Sequence, residues 1–61
     1  MTPKDRAFLM NGLIECSASN ERKSKFMLNA ENMQRLYEIR KSVNGVQMDM
    51  EIDKLKKGLN L

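Results

Sequence analysis

The chain has 61 residues, a single cysteine, no histidine and a net charge of +3. A chain of this length buries only about 60% of its unfolded surface, so a core built by one copy is marginal. One cysteine excludes an internal disulfide, and the lack of histidine excludes His-based catalytic pairs and His-containing zinc sites. We therefore expect one domain over residues 1–61 that is not an enzyme, holds no metal or cofactor, and is stabilised as a homodimer.

The N-terminal segment predicts a cytoplasmic protein. Its apolar run, Ala7–Met10, is interrupted at Asn11 and is too short for a signal peptide or a membrane span. An unpaired Cys16 also suits a reducing compartment. We expect no membrane partner.

The first predicted helix begins at Pro3 and ends within residues 17–20. Thr2 is a suitable N-cap, Pro3 suits the first helical position, and Asp5 lies where a capping box places an acid. The residues that share one face at spacings of three and four are Ala7, Met10, Leu13, Ile14 and Ser17. Residues 1–20 thus form a helical extension before the rest of the domain.

A second helix is predicted over about residues 30–43. Asn29 is its expected N-cap, and Leu28 is placed to pack on Met33 as a hydrophobic staple. The pair Asn44-Gly45 predicts a left-handed stop at its end.

A third helix is predicted to begin at Asp49, its N-cap, and to end near Gly58. Its apolar face consists of Met48, Ile52, Leu55 and Leu59. Every second residue from Val46 to Ile52 is also apolar, which is typical of a strand. The helical spacing extends further along the chain and has caps at both ends, so it favours a helix.

Residues 22–28 fit two patterns. With a period of two, Ser24, Phe26 and Leu28 face one way, opposite to Lys23, Lys25 and Met27. With a period of 3.6, a stripe runs through Phe26, Ala30, Met33 and Tyr37, and the second helix would begin near residue 21. The predicted cap and staple favour a new helix at Asn29, and hence a strand before it.

A short strand, a capped helix, a turn and a second helix in this order resemble the ribbon-helix-helix family of DNA-binding repressors and antitoxins. The resemblance covers residues 22–59 and lies in KFMLNAENMQRLYEIRKSVNGVQMDMEIDKLKKGL. There Leu28 takes the place of the last inward strand residue, Asn29 the capping position, and Asn44-Gly45 the turn between helices. The resemblance implies a mostly α homodimer, with an N-terminal helix ahead of a ribbon-helix-helix unit.

The function that this resemblance implies is that of a small dimeric transcriptional regulator, a repressor. Strands from two copies would pair into a ribbon that reads the major groove of double-stranded DNA, and the start of the last helix would bind a phosphate. The residues placed on DNA are Arg22, Lys23, Lys25, Met27, Met48, Asp49 and Met50. The residues placed in the dimer core are Phe26, Leu28, Met33, Leu36, Ile39, Val43, Ile52 and Leu55.

An all-α alternative stays open. If residues 21–43 form one long helix, the chain is a three-helix dimer that binds a protein partner, as an adaptor or an inhibitor, and not DNA. The first helix, with Phe8, Leu9 and Leu13, would then be the docking element. The two hypotheses differ in the conformation of residues 22–28.

Overall fold

The computed structural model describes all 61 residues and contains four helices and no strand. The helices are α1 (Pro3–Ala18), α2 (Asn20–Leu28), α3 (Ala30–Ser42) and α4 (Gly45–Leu59). The all-α class is therefore confirmed, with four helices in place of the predicted three. None of these helices is both long and apolar enough to cross a membrane.

The start of α1 is the one predicted from the sequence. The backbone N–H of Asp5 donates to Oγ1 of Thr2 at 3.2 Å, and Pro3 occupies the first turn. The helix ends at Ala18, within the predicted range, because Ser19 adopts an extended conformation.

The predicted strand at residues 22–28 is wrong, because these residues belong to α2. Ser19 ends α1 and at the same time caps α2, and its Oγ accepts a hydrogen bond from the backbone N–H of Arg22 at 3.1 Å. Glu21 and Lys25 form an ion pair of 3.6 Å at the i, i+4 spacing that supports a helix. Residues 22–28 thus belong to a capped helix and not to a ribbon strand.

Asn29 separates α2 from α3, so residues 21–43 do not form one continuous helix. Its extended backbone ends α2, and its Oδ1 accepts from the backbone N–H groups of Glu31 and Asn32 at 2.9 and 3.2 Å. The predicted cap is therefore confirmed. The predicted staple is wrong, because Leu28 is 85% exposed and packs on nothing that would fix the helix start.

The turn before α4 differs from the prediction. Asn44 has a φ of −73°, so it does not form a left-handed stop; its Oδ1 accepts from the backbone N–H of Gln47 at 2.7 Å and caps α4. The last helix therefore begins at Gly45, four residues before the predicted cap Asp49. Its end near Gly58 is confirmed to within one residue, and Asn60 supplies the left-handed cap with a φ of 60°.

The core lies within one chain and joins all four helices. Its six buried residues are Phe8, Leu9, Phe26, Ile39, Val43 and Leu55. Four residues predicted to need a dimer are thus buried without one, namely Phe26, Ile39, Val43 and Leu55. Met33, Leu36 and Ile52 are half-buried, and Leu28, which was predicted for the dimer core, is exposed in the single chain.

Two ion pairs between helices support this packing. Arg6 of α1 donates to Oε2 of Glu51 in α4 at 2.7 Å. Arg22 of α2 forms a two-point contact with Glu15 of α1, at 2.8 Å through Nε and 2.6 Å through Nη2. The pairs hold α4 and α2 against α1.

Candidate functional site

An apolar groove of about 140 Å³ lies where the four helices meet. Eight of the nine residues that line it carry hydrophobic side chains. The lining consists of Phe8, Leu9, Gly12, Leu13 and Cys16 from α1, Phe26 and Met27 from α2, Leu36 from α3 and Ile52 from α4. We call this feature the apolar groove.

The floor of the apolar groove depends on the contact between Gly12 and Phe26. A Cβ atom added at Gly12 would lie 2.8 Å from Cζ of the Phe26 ring, which is closer than real Cβ atoms approach. The ring also packs on Phe8, with centroids 5.6 Å apart and an angle of 32° between the planes. The absence of a side chain at Gly12 therefore lets the Phe26 ring rest against α1, where it forms an aromatic floor together with Phe8.

The walls of the apolar groove are partly open to solvent. Leu13, Cys16, Leu36 and Ile52 are half-buried, and Met27 is 44% exposed. Methionine has three rotatable bonds and a polarisable sulfur, so its side chain adapts to the shape of what it contacts. The groove thus combines a fixed aromatic floor with one adjustable wall.

Charged residues of both signs lie one helical turn from lining residues, namely the cations Lys4, Arg6, Arg22, Lys23, Arg40 and Lys56 and the acids Asp5, Glu15 and Asp49. Lys23 precedes Met27 by four residues, Arg40 follows Leu36 by four, and Lys56 follows Ile52 by four. Residues at this spacing share a face of a helix, so each cation lies on the side of its helix that carries a groove residue.

Lys23, Arg40 and Lys56 are all exposed. None of Lys23, Arg40 and Lys56 belongs to any of the four ion pairs of the structure. On the corresponding part of α4, Asp49 lies three residues before Ile52, and Glu51 and Asp53 lie next to it. Positive charge therefore prevails on α2 and α3, and both signs occur on α4.

Two of the three cations predicted to contact DNA are engaged in ion pairs. The two hydrogen bonds from Arg22 to Glu15, and the charge of Arg22, hold the pKa of the Glu15 carboxyl below its ordinary value. The same contact raises the pKa of Arg22. Lys25 pairs with Glu21, so of the three cations predicted to contact DNA only Lys23 has no acidic partner.

The remaining residues predicted to contact DNA lie apart from a helix start. Because α4 begins at Gly45, Met48 is in its second turn and its backbone N–H donates to the carbonyl oxygen of Asn44 at 3.0 Å. Met48 packs against the core, while Asp49 and Met50 are exposed. These three residues therefore lie after the first turn of α4, the turn in which a helix start offers free N–H groups.

The residues predicted to dock a protein are divided between the core and the groove. Phe8 and Leu9 are buried, so their side chains form the floor and are not free to insert into a partner. Leu13 is half-buried and lines the groove wall. These three side chains of the first helix thus line the concave groove and do not project from the surface.

Sequence reasoning missed the apolar groove as a unit. It placed Met27 on DNA and Leu36 and Ile52 in a dimer core, whereas the fold brings all three to one concavity. The available signal was Gly12, since a glycine in the middle of an amphipathic helix often marks a close approach of another element.

In comparisons with known proteins, no protein-family model, curated protein or solved structure matches this chain. No group of three or more His, Cys, Asp or Glu side chains lies close enough together to hold a metal ion. The chemistry of the apolar groove therefore follows from its own lining and from the charges beside it.

Proposed function

We propose that this chain is a small helical protein-binding module that captures an apolar side chain of its partner in the apolar groove. The observation that carries the proposal is the groove itself, an open concavity lined almost entirely by hydrophobic side chains. Exposed apolar concavities with polar surroundings are typical of binding sites, because the removal of apolar surface from water lowers the free energy. The role is binding without catalysis, in the cytoplasm, as the free thiol of Cys16 predicts.

The volume of the apolar groove fits one side chain. A protein cavity of about 150 Å³ lined by Leu, Ile and Phe accommodates a benzene ring. At about 140 Å³, the groove suits one aromatic or branched aliphatic side chain. Protein interfaces commonly concentrate their binding energy in such single anchors, each seated in a well-packed pocket.

Protein binding is better supported than DNA binding. The ribbon on which DNA recognition depended has no counterpart, because residues 22–28 are helical. Phosphate contacts by Arg22 or Lys25 would also compete with their carboxylate partners, Glu15 and Glu21. These observations favour the protein-binding hypothesis and weaken the nucleic-acid one.

Site-specific photo-crosslinking in the expressing cells tests the proposal. A photoreactive amino acid replaces Met27, in the groove, and in a matched variant replaces Val46, which is 72% exposed and lies outside it. We expect a protein to crosslink at position 27 and not at position 46. Equal crosslinking at both positions, or none at position 27, would contradict the proposal.

Reconstitution with the purified partner then measures the role of the groove. Because Met27 and Val46 are both outside the buried core, Met27→Asp and Val46→Asp leave that core intact. Met27→Asp should weaken binding at least about tenfold, since it places a charge beside the apolar anchor, and Val46→Asp should not. Equal effects of both variants, or double-stranded DNA binding that falls steeply with salt, would instead reject the groove as the functional site.

A further inference from the structure

We infer that the outer face of α1 pairs with the same face of a second copy of this chain, with the two helices antiparallel. The residues of this face, which we call the α1 stripe, are Pro3, Ala7, Met10, Ile14 and Ser17. The inference does not rest on the proposed function, because the α1 stripe lines no part of the apolar groove.

The α1 stripe lies on the side of α1 that turns away from the rest of the chain. At about 3.6 residues per turn, its centre lies nearly opposite to the three buried residues of α1, Phe8, Leu9 and Gly12. All residues of the stripe are exposed, and its two large side chains, Met10 and Ile14, are 36% and 44% exposed. The helix therefore carries apolar residues on two sides, and the other helices cover only one of them.

The α1 stripe contains no charged residue, although 31% of the residues of the chain are charged. The charged residues of α1, all outside the stripe, are Lys4, Asp5, Arg6 and Glu15. The other helices have charged residues on their exposed sides, among them Lys25, Lys41 and Lys57. A helix that is apolar on more than one side is typically buried on more than one side. The stripe thus has the character of a contact surface.

The spacing of the α1 stripe is that of a helix that packs along another helix. From Pro3 to Ser17, steps of four and three residues alternate, as they do between the positions that meet in a coiled coil. A second copy provides the same spacing, and two-fold symmetry pairs the stripe with itself. One antiparallel register places Met10 of each copy against Ile14 of the other, and Ala7 against Ser17. The large side chains then meet in the middle and the small ones at both ends.

The charges beside the α1 stripe favour the antiparallel direction. Lys4 and Arg6 flank its N-terminal end; Arg6 is paired with Glu51, whereas Lys4 belongs to none of the four ion pairs. The last turn of α1 has no basic residue, and the carbonyl end of a helix attracts cations. Antiparallel pairing places Lys4 beside this turn of the second copy, whereas parallel pairing would place two Lys4 side chains together.

The size of the chain and the shape of this face also favour a second copy. The buried core consists of only six residues, and a chain of 61 residues is commonly supported by a partner subunit. A depression of about 370 Å³ at the N-terminal end of the stripe is lined by Met1, Thr2, Pro3, Arg6, Ala7 and Met10. In the register described above, the last turn of the second α1 lies over this depression.

Sedimentation equilibrium of the full chain tests the inference. An interface made by one helix from each copy is small, and small interfaces are typical of weak association, so we expect a dissociation constant on the order of 100 μM. Ile14→Asp should raise this constant at least about tenfold, because it places a carboxylate in the middle of the apolar contact. Met50→Asp is the matched control, since Met50 is 57% exposed on α4 and the substitution changes the net charge equally. It should leave the constant nearly unchanged.

Ile14→Ala provides a second measurement if Ile14→Asp fails to fold. It shortens an exposed side chain without adding a charge, and alanine is the better helix former. We expect it to raise the dissociation constant at least about threefold, because apolar contact area is lost, while the helix content measured by circular dichroism is kept.

Disulfide formation determines the direction of the two helices. Ala7→Cys and Ser17→Cys are each made in a chain that also carries Cys16→Ser, and the two proteins are mixed and oxidised. The mixed disulfide should predominate, because positions 7 and 17 meet in the antiparallel register. Disulfides that join position 7 to position 7 and position 17 to position 17 would indicate parallel helices and would overturn the inference.

Three other results would overturn the inference. A chain that stays monomeric at about 1 mM lacks the interface. A dimer that Ile14→Asp and Met50→Asp weaken equally is formed by another surface. A monomeric chain that binds vesicles of phosphatidylserine and phosphatidylcholine, and loses this binding in Ile14→Asp, has a membrane as the occupant of the stripe. None of these results changes the expected crosslinking at position 27, which tests the apolar groove separately.

Discussion

Gly12 is the residue on which the geometry of the site depends most. Its hydrogen atom occupies the space beside the Phe26 ring, where a methyl group would meet Cζ at 2.8 Å. The ring has little freedom to retreat, because Phe26 is buried and packs on Phe8. The cost of glycine to helix stability is thus offset by the close approach of α1 and α2.

Gly12→Ala should destabilise the protein by about 1–3 kcal/mol, the usual effect of forcing extra volume into a packed core. Alanine is the better helix former by about 1 kcal/mol, so a loss of stability would show that packing outweighs propensity. Gly58→Ala is the matched control, since nothing lies within 4 Å of a Cβ there, and it should stabilise by about 0.4–1 kcal/mol. Urea unfolding measures the free energy of unfolding of both variants. If Gly12→Ala raised this free energy as Gly58→Ala does, the close contact between Gly12 and Phe26 would be refuted.

The Glu15–Arg22 contact should make stability depend on acid. The hydrogen bonds from Arg22 lower the pKa of Glu15 in the folded protein relative to the unfolded chain. The stabilisation is therefore complete above the ordinary carboxyl pKa and is lost as the pH falls through the lowered value. Glu15→Gln should reduce stability at neutral pH and flatten its decrease on acidification.

Thermal unfolding at pH 7 and pH 3 measures this dependence. Asp53→Asn is the control, because Asp53 is exposed and forms no ion pair. It should change the acid dependence less than Glu15→Gln does. An identical pH profile for the wild type and Glu15→Gln would contradict the role assigned to the pair.

At the scale of the helices, capping residues determine where each element begins. The junction at Asn29 also positions α3 on α2. Asn32 donates its backbone N–H to Oδ1 of Asn29, and its side-chain Nδ2 donates to the carbonyl oxygen of Phe26 at 3.2 Å. The junction therefore links the start of α3 to the residue that forms the groove floor.

Asn29→Ala should cost about 0.5–2 kcal/mol, because two backbone N–H groups lose their acceptor. Asn29→Asp should retain most of the stability, since a carboxylate accepts the same hydrogen bonds and suits the positive end of the helix. Chemical denaturation of the three proteins measures the difference. An equal loss of stability in both variants would mean that the side-chain amide of Asn29 is required for a reason other than accepting the capping hydrogen bonds.

The helices differ in how far their sequence predicts them. Local signals were sufficient for Thr2 and Asn29, whose side chains accept from N–H groups within three residues. Residues 22–28 were misassigned because seven residues fit both periods, and the decisive cap, Ser19, lies before that segment. The prediction of a left-handed stop at Asn44-Gly45 failed for another reason. An asparagine can end one helix or begin the next, and only its φ distinguishes the two.

At the scale of the whole molecule, periodicity identified apolar residues but not their partners. Ile39, Val43 and Leu55 were predicted to be buried against a second copy, and they are buried within one chain. The apolar groove was not predictable in this way, because it unites residues as distant as Phe8 and Ile52.

The measurement that tests the groove most directly is methyl NMR of the full chain with a helical peptide that carries a single phenylalanine. The ring of a bound phenylalanine shifts nearby methyl resonances, so the methyls of Met27, Leu13 and Ile52 should move and show intermolecular contacts with that ring. The methyls of Val46 and Met50, which are exposed but outside the groove, should stay in place. Shifts at Val46 and Met50 without shifts at Met27 would show that the partner binds another face and would contradict the account.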